Sequence, residues 1–242
     1  MSYLFNTFLV HPLYNVLVLL IDLPLVNLGG AVVLLTLLVK FALLPLSKKA
    51  ITTQEAMKEI QAPMKELQEK YKDDRQTLAL EMMNLYKKHG VNPFSSIFLI
   101  LIQLPIIFAL YWVFYKGGLP NINLDILYSF VPVPEFVSTK FLGIFDIIAT
   151  KNVWLAALTG LTYYAQALIT LPKPETTTKF GESMKDDLVR SLHVQTKYVF
   201  PVIIFFIAFT LQAVISVYWI TSNLFTIAQH VYLKRLADNS KA

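Results

Sequence analysis

The apolar residues of this chain are gathered into blocks that are long enough to cross a lipid bilayer. Residues 28–46, 94–115 and 153–171 are each almost wholly apolar, and 198–233 forms a longer run with basic residues at both ends. One crossing of a hydrocarbon core about 30 Å thick needs about 20 helical residues. The last run is nearly twice that length, so we expect it to fold back as two short spans that turn near 212–216. The blocks therefore predict five membrane-spanning helices.

The overall composition agrees with a membrane protein and excludes several chemistries. The chain is 55% hydrophobic and 15% charged, and it contains no cysteine. Disulfides, thiol catalysis and cysteine-ligated metals are thereby excluded. The four histidines are scattered without the spacing of metal ligands, and neither a Ser/His pair nor an HExxH motif points to catalysis. We expect an all-α, polytopic membrane protein that is not an enzyme and uses no cofactor.

The distribution of basic residues predicts the orientation in the membrane. Nine Lys and Arg residues lie in 47–92, five in 172–197 and three after residue 233, and the five-span order places all of these on one side. The opposite side carries only three lysines. Because loops rich in Lys and Arg stay in the cytoplasm, we expect the N-terminus outside and the C-terminus inside. The loop at 172–197 and the short tail 236–242 are then cytoplasmic.

The N-terminal segment, 1–27, is apolar but interrupted. Polar residues and prolines break up the stretch 8–26: His11, Pro12, Asn15, Asp22 and Pro24. We interpret this stretch as a helix that lies in the outer interface of the membrane rather than as a sixth span. The alternative is a further span with its N-terminus inside, which lacks the positive flank that such an orientation favours.

The largest polar segment, 47–92, has the periodicity of two amphipathic helices. Its apolar residues recur at spacings of three and four in two groups: Ile60, Met64, Leu67 and Tyr71, then Leu78, Met82, Leu85 and Tyr86. A polar turn separates the groups, and Asp73 or Asp74 suits the N-cap of the second helix. Asn92 and Pro93 suit the start of the next helix. We expect a cytoplasmic helical hairpin between the first two spans, although periodicity alone leaves a solvated, salt-bridged connector open.

One residue of the first apolar block, Lys40, is charged. An ammonium group at the centre of a bilayer costs about 2.5–3.5 kcal/mol on insertion scales. The side chain therefore either reaches an interface or lies in a polar cavity that hydrates it. Gln103, Gln166 and Asn223 also lie within apolar blocks, where each either lines such a cavity or simply hydrogen-bonds between helices.

Three motifs resemble the YidC/Oxa/Alb family of membrane protein insertases. They are TLLVKFALLPLSKKA around Lys40, the stretch that runs from MKEIQAPMKELQEKYKDDRQ to NPFSSIFLILIQLPIIFALYWVF, and YWITSNLFTIAQ near the C-terminus. The resemblance covers about residues 28–235, of which 93–235 would hold spans two to five in one functional domain. It implies the minimal five-span form, without the large extracytoplasmic domain of Gram-negative members, in the plasma membrane of a bacterium.

The resemblance also implies a hydrophilic groove that opens to the cytoplasm and to lipid. Lys40 occupies a position that is usually Arg in the family and supplies the positive charge of the groove. Four further residues match or extend groove positions, and one stretch of the second span matches the part that contacts the passing substrate. The predicted site consists of Lys40, Thr36, Gln166, Trp219 and Asn223 in the groove, with Gln103, Leu104 and Pro105 in the second span.

The implied function is that of an insertase and chaperone, which inserts nascent membrane proteins and helps them fold. Its expected partners are nascent membrane proteins, the ribosome, the Sec translocon and the lipid bilayer, and we expect it to act as a monomer. No specific nucleic-acid sequence is expected, because the tail lacks the long basic extension that binds ribosomal RNA in some relatives. Two alternatives stay open: a small-solute or ion transporter that uses Lys40 as its binding charge, and a passive scaffold.

The interfacial placement of 8–26 predicts a labelling pattern. Single cysteines at Ser2 and Asn27 react with a membrane-impermeant thiol reagent applied from outside intact cells, because both ends of an interfacial segment lie on one side. The native chain contains no cysteine, so each label reports one position. A Ser2 cysteine that reacts only from the cytoplasmic side contradicts the placement and makes the segment a span.

Overall fold

The computed structural model describes residues 3–72, 74–90, 95–171, 191 and 194–239, which are mostly helical. The helices are α1 (Tyr3–Ile21), α2 (Leu28–Ala42), α3 (Leu44–Glu59), α4 (Gln61–Lys70), α5 (Arg75–Lys88), α6 (Ser95–Lys116), α7 (Val153–Thr170), α8 (Gln195–Thr210) and α9 (Ala213–Asn239). A single 3₁₀ turn, Leu124–Ile126, lies between α6 and α7. This mostly helical structure is consistent with the predicted all-α class, and its described residues also form one short antiparallel hairpin of β1 (Lys140–Phe141) and β2 (Phe145–Asp146).

The chain divides into two compact units. One comprises Met1–Phe41 and Ile106–Ala242, and the other is Ala42–Pro105. The second boundary falls at Pro105, inside α6. Proline has no N–H to donate to the preceding turn, and its ring clashes with the carbonyl group four residues back, so helical continuity is weak at such a point.

Several described helices have the length and composition of membrane spans. α1 and α7 each qualify alone, and α2 together with Leu44–Thr53 qualifies as a third if the two pieces count as one span. Gln103–Tyr115 and α8 are apolar but shorter. The number of spans predicted from the sequence, five, stays a prediction.

The predicted first span, 28–46, is not one continuous helix. α2 stops and α3 restarts around Leu43. Pro45 explains the break, because it has no N–H to donate to the carbonyl group four residues back. Lys40 consequently lies in the last turn of α2 instead of in the middle of a long helix.

The turn between α8 and α9 comes earlier than predicted. Only Leu211 and Gln212 separate the two helices, whereas the sequence placed the turn near 212–216. Gln212 forms an isolated antiparallel bridge with Thr150, in the distant loop between α6 and α7. The predicted range includes Gln212 but extends four residues into α9, because the apolar run carries no local turn signal and pairing with a remote segment decides where it bends.

The 117–152 loop holds the ends of helices through backbone hydrogen bonds. The first N–H groups of a helix have no partner within that helix. Carbonyl groups of this loop accept from such N–H groups at the starts of α2 and α9. The bonds run from Leu28 to Ser138 (3.0 Å), from Ala213 to Ala149 (2.9 Å) and from Val214 to Ile147 (2.7 Å).

α1 runs through three of the predicted interruptions, His11, Pro12 and Asn15, and ends at Ile21, before Asp22 and Pro24. It begins at Tyr3, earlier than the predicted stretch 8–26, and has a π-helical turn, Asn6–Val10, just before Pro12. A π-helical turn bonds each N–H to the carbonyl group five residues back. This altered bonding pattern lets the helix continue past Pro12, which has no N–H to donate. The interfacial placement of this helix stays a prediction, since its length also suits a span.

Two polar side chains near the middle of α1 form hydrogen bonds with the 117–152 loop. Asn15 is 2% exposed; its amide donates to the carbonyl of Ile126 over 2.8 Å and accepts from the N–H of Tyr128 over 2.6 Å. The hydroxyl of the adjacent Tyr14 accepts from the N–H of Asn123 over 2.7 Å. Asn15 was read as an interruption of the apolar stretch, whereas the structure uses it as an anchor.

The two helices predicted from the amphipathic pattern lie in the second unit and contact each other. α4 and α5 are joined by a short turn, and Asp74 caps α5 by accepting from the N–H groups of Gln76 and Thr77 over 3.2 and 3.0 Å. The predicted cap is confirmed at Asp74. The Thr77 hydroxyl also donates to this carboxylate and, with the backbone bonds, lowers the pKa of Asp74. Asp73, Asn92 and Pro93 lie outside the described residues.

α7 lies between α8 and α9 and packs on both. Gly160 allows the close approach to α8, since a Cβ atom there would lie only 3.0 Å from the carbonyl oxygen of Pro201. Small residues at such crossings let backbones approach, as is common between membrane helices.

The anchor at Asn15 predicts a large cost for its removal. Asn15→Leu leaves the carbonyl of Ile126 and the N–H of Tyr128 without their partner, and each unsatisfied buried group costs about 1–3 kcal/mol. We expect the free energy of unfolding in mixed micelles to fall by about 2 kcal/mol or more. Asn6→Leu, on the same helix but away from the loop contact, is the control and should change it little. Equal effects of the two substitutions would show that the loop contact does not stabilise the fold.

Candidate substrate-binding site

The end of α2 contacts α9 through two consecutive residues. The Nζ atom of Lys40 donates to Oγ1 of Thr226 over 3.2 Å. The next residue, Phe41, meets Phe225 edge-on with ring centroids 5.2 Å apart. A polar pair and an aromatic pair therefore lie side by side at the end of α2.

The ammonium group of Lys40 has no ion-pair partner in the part of the chain that the structure describes. Its partner, Thr226, donates its own hydroxyl proton to the carbonyl of Ser222 over 2.8 Å, so its oxygen is available to accept from Lys40. The last turn of a helix also carries unpaired carbonyl groups and a partial negative charge that favours a cation. The recorded partner of the Lys40 ammonium group is thus a neutral hydroxyl.

Thr36 lies one turn before Lys40 on the same face of α2. Only 1% of it is exposed, and its hydroxyl donates to the carbonyl of Val32 over 2.7 Å. The hydroxyl is therefore satisfied inside its own helix and packed away from solvent. Its predicted contact with substrate stays a prediction and would need α2 to move.

Asn223 links α9 to α7. Its side chain is 6% exposed, and Nδ2 donates to Oγ1 of Thr162 over 3.1 Å. Thr162 in turn donates to the carbonyl of Thr159 over 3.0 Å. This is the interhelical hydrogen bond that the sequence left open as an alternative to groove lining.

Gln166 and Trp219 lie one turn away from this bond on the same two helices. Gln166 follows Thr162 by four residues along α7, so these two residues lie on the same face of α7. Trp219 precedes Asn223 by four residues along α9, so these two residues share a face of α9. Both side chains are half-buried. The structure thus places Gln166 and Trp219 on the two helices that this bond joins, one on either side of it along the helix axes.

The remaining predicted residues lie on α6 and belong to the second unit. Gln103 and Pro105 are half-buried, and Leu104 is 44% exposed. Their predicted contact with a passing substrate stays a prediction.

Sequence reasoning missed two residues that hydrogen-bond to predicted site residues, Thr162 and Thr226. Thr226 is the hydrogen-bond partner of Lys40, and Thr162 is that of Asn223. Each also lies at helical spacing from a predicted residue, because Thr226 follows Asn223 by three residues and Thr162 precedes Gln166 by four. The spacing was a usable signal. Threonine is common in apolar helices, however, because its hydroxyl bonds the preceding turn of its own helix, so the residue type alone marks no site.

Together, Lys40, Thr226, Asn223, Thr162 and Gln166 offer groups that can recognise a bound molecule. Their polar groups are one ammonium group, hydroxyls and amides, which attract anionic groups and form hydrogen bonds. Among the described residues, His, Asp and Glu side chains form no group of three that would hold a metal ion.

Comparison with known proteins adds a family and named relatives. The family model described as 60Kd inner membrane protein matches residues 19–240. A protein from Clostridium tetani named Membrane protein insertase YidC is 31% identical over 219 residues, which cover 90% of this chain and 87% of the relative. Proteins of the same name from Wolinella succinogenes and Helicobacter pylori are 32% and 31% identical over 89% of this chain, which spans only 35% and 34% of their lengths.

The bond between Asn223 and Thr162 predicts a measurable coupling. In a double-mutant cycle with Asn223→Ala and Thr162→Val, we expect a coupling free energy of about 0.6 kcal/mol, the average for hydrogen bonds between membrane helices. The measurement is reversible unfolding in mixed micelles. A coupling of zero would mean that the two side chains do not stabilise the packing of α7 on α9.

Proposed function

The chain belongs to the 60Kd inner membrane protein family, and we propose that it is an insertase and chaperone for nascent membrane proteins. Its family and its apolar helices place it in a bacterial membrane. The proposal is carried by one observation, the ammonium group of Lys40, which is held among apolar helices by the hydroxyl of Thr226 and by no described carboxylate. Such a charge is free to attract an acidic group of a substrate.

The proposed topology has five spans, the N-terminus outside and the C-terminus inside. In that topology the 117–152 loop, the start of α2 and the turn between α8 and α9 all lie outside. The hydrogen bonds from the loop to the starts of α2 and α9 support this arrangement, because they join segments assigned to the same side. Segment 47–92 and its hairpin then lie in the cytoplasm.

The same geometry supports an interfacial α1. Two residues near its middle, Tyr14 and Asn15, are bonded to the 117–152 loop, which the topology places outside. A helix that crossed the bilayer would have its midpoint near the centre of the hydrocarbon core, where an irregular loop exposed to lipid is not tolerated. α1 therefore lies along the outer interface in the proposed topology.

The proposed mechanism begins with electrostatic attraction in a hydrated groove. A nascent chain places its polar outer flank beside Lys40, and acidic residues in that flank are attracted to the ammonium group. The groove shortens the path through hydrocarbon, which lowers the cost of moving polar residues outward. An inside-negative potential contributes about 2.3 kcal/mol per 100 mV for each negative charge moved out.

The apolar segment of the substrate follows a different path. In this proposal it enters between the second and fourth spans; Phe108 of α6 and Phe206 of α8 expose 53% and 59% of their surfaces. From there it leaves sideways into lipid. Burial of the segment in hydrocarbon drives the transfer, so no nucleotide is required.

Contacts with the ribosome and the Sec translocon, and activity as a monomer, are part of the same proposal. α5 exposes Leu80 and Met83, at 65% and 56%. Exposed apolar residues on a cytoplasmic hairpin are available to a partner protein.

The role of Lys40 predicts an order among substitutions. In protein-free liposomes, Lys40→Arg keeps insertion activity, whereas Lys40→Ala lowers insertion of a substrate with an acidic outer flank by about fivefold, the effect of one ion pair in a hydrated site. Lys40→Glu lowers it further, since it repels the flank. A matched substrate with a neutral flank should be affected much less.

Two controls separate charge from structure. Thr226→Val removes the hydroxyl that Lys40 contacts but keeps the charge, so it should preserve the preference for acidic flanks. Thermal stability and protein level are measured for every variant. Equal loss for both substrates at unchanged stability would remove the electrostatic role. Uptake of a small anion without insertion would favour the transporter alternative.

A further inference from the structure

An apolar groove of about 420 Å³ lies between α7 and α8, apart from the cluster around Lys40. Its lining is almost entirely apolar or aromatic. The lining residues are Ala157, Gly160, Leu161 and Tyr164 from α7, with Tyr198, Pro201, Val202 and Phe205 from α8.

The floor and the rim of this groove have different origins. Gly160 and Pro201 are buried, and the missing side chain of the glycine lets the two backbones meet beneath the groove. Leu161, Tyr198 and Val202 are 62%, 51% and 54% exposed, so they form an open rim. The groove is therefore a permanent feature of the helix crossing, open along one side.

One end of the groove is polar and positively charged. The rings of Tyr164 and Tyr198 lie with centroids 6.0 Å apart, and the Nζ atom of Lys197 lies 5.1 Å from the centre of the Tyr198 ring. In the proposed topology this end faces the cytoplasm. The groove thus combines a long apolar body with an ammonium group and two phenol hydroxyls at a single end.

We propose that this groove binds an anionic phospholipid of the inner leaflet. One acyl chain lies along Gly160 and Pro201, and the phosphate group is bound by the ammonium of Lys197 and the hydroxyls of the two tyrosines. Basic pockets between membrane helices on the cytoplasmic side recognise anionic headgroups in this way. The site is independent of the insertion mechanism and uses other residues.

The size of the groove selects a lipid over a protein helix. A helix with its side chains is about 10–12 Å wide, so 420 Å³ would hold only about one turn of it. A volume of about 300–1,000 Å³ is typical of small-molecule sites. The ammonium group at one end complements a phosphate, whereas a neutral lipid or an apolar peptide would leave it without a counter-charge.

Fluorescence quenching by brominated lipids tests the proposal on the full-length chain. Bimane is attached to Val202→Cys, since the native chain has no cysteine. The protein is reconstituted in vesicles of equal phosphatidylglycerol and phosphatidylcholine, with bromine on the acyl chains of one lipid or the other. Ile203→Cys is the matched control, because it is the next residue of α8, is 43% exposed and does not line the groove.

We expect quenching at position 202 to indicate about a fivefold preference for brominated phosphatidylglycerol, the selectivity that one lysine confers at an anionic surface. At position 203 the two lipids should quench equally. Lys197→Gln should abolish the preference, whereas Lys234→Gln, which removes the same charge from the exposed end of α9, should not. Ala157→Trp, which fills the groove, should reduce quenching at 202, and Leu158→Trp should not.

Three results would overturn the proposal. Equal quenching by both lipids at position 202 in the otherwise native chain would make the contact ordinary solvation by lipid. A preference that survives Lys197→Gln would remove the headgroup assignment. Protection of position 202 from both lipids would mean that a protein segment fills the groove. Each readout is lipid contact, so none depends on whether the chain inserts substrates.

Discussion

The arrangement of the first unit depends on backbone N–H groups at helix starts, which have no partner within their own helices. Each such group needs an acceptor from elsewhere in the chain or from water. The 117–152 loop provides carbonyl groups to the starts of α2 and α9 and receives the Asn15 anchor of α1. Gly29 of α2 makes room for this loop, since a Cβ atom there would overlap the Phe141 ring. One loop therefore sets the relative positions of three helices.

Around Lys40 the group that needs a polar partner is an ammonium group rather than a backbone N–H group. The break at Leu43 places Lys40 in the last turn of α2, where the hydroxyl of Thr226 contacts its ammonium group and no carboxylate of the described residues does. A carboxylate partner would neutralise Lys40 and compete with any acidic substrate. A neutral partner keeps the positive charge available, which is the property that the proposed insertion mechanism requires.

α7 shows how one helix carries two kinds of contact. Toward α9 it presents the hydroxyl of Thr162, which accepts from Asn223, and toward α8 it presents Gly160. The hydrogen bond of Thr162 fixes the pairing of α7 with α9. Gly160 lets the backbones of α7 and α8 approach each other and leaves a groove beside them. Both contacts use short side chains, because longer ones would hold the helices apart.

Local chemistry made much of this protein predictable from its sequence. The apolar blocks, the stripes of the two hairpin helices, the Asp74 cap and the family all follow from residue type, spacing and motif, which are properties of neighbouring residues. The placement of the α8–α9 turn, the role of Asn15 and the partners Thr162 and Thr226 do not, because each depends on residues far apart in the chain. The break at Leu43 interrupts the predicted continuous span 28–46, although Pro45 is a local signal for it. Hydropathy recognises a helix that belongs in a membrane, but only tertiary contacts decide where it ends and which polar group it meets, since buried hydrogen bonds need a partner in space rather than in sequence.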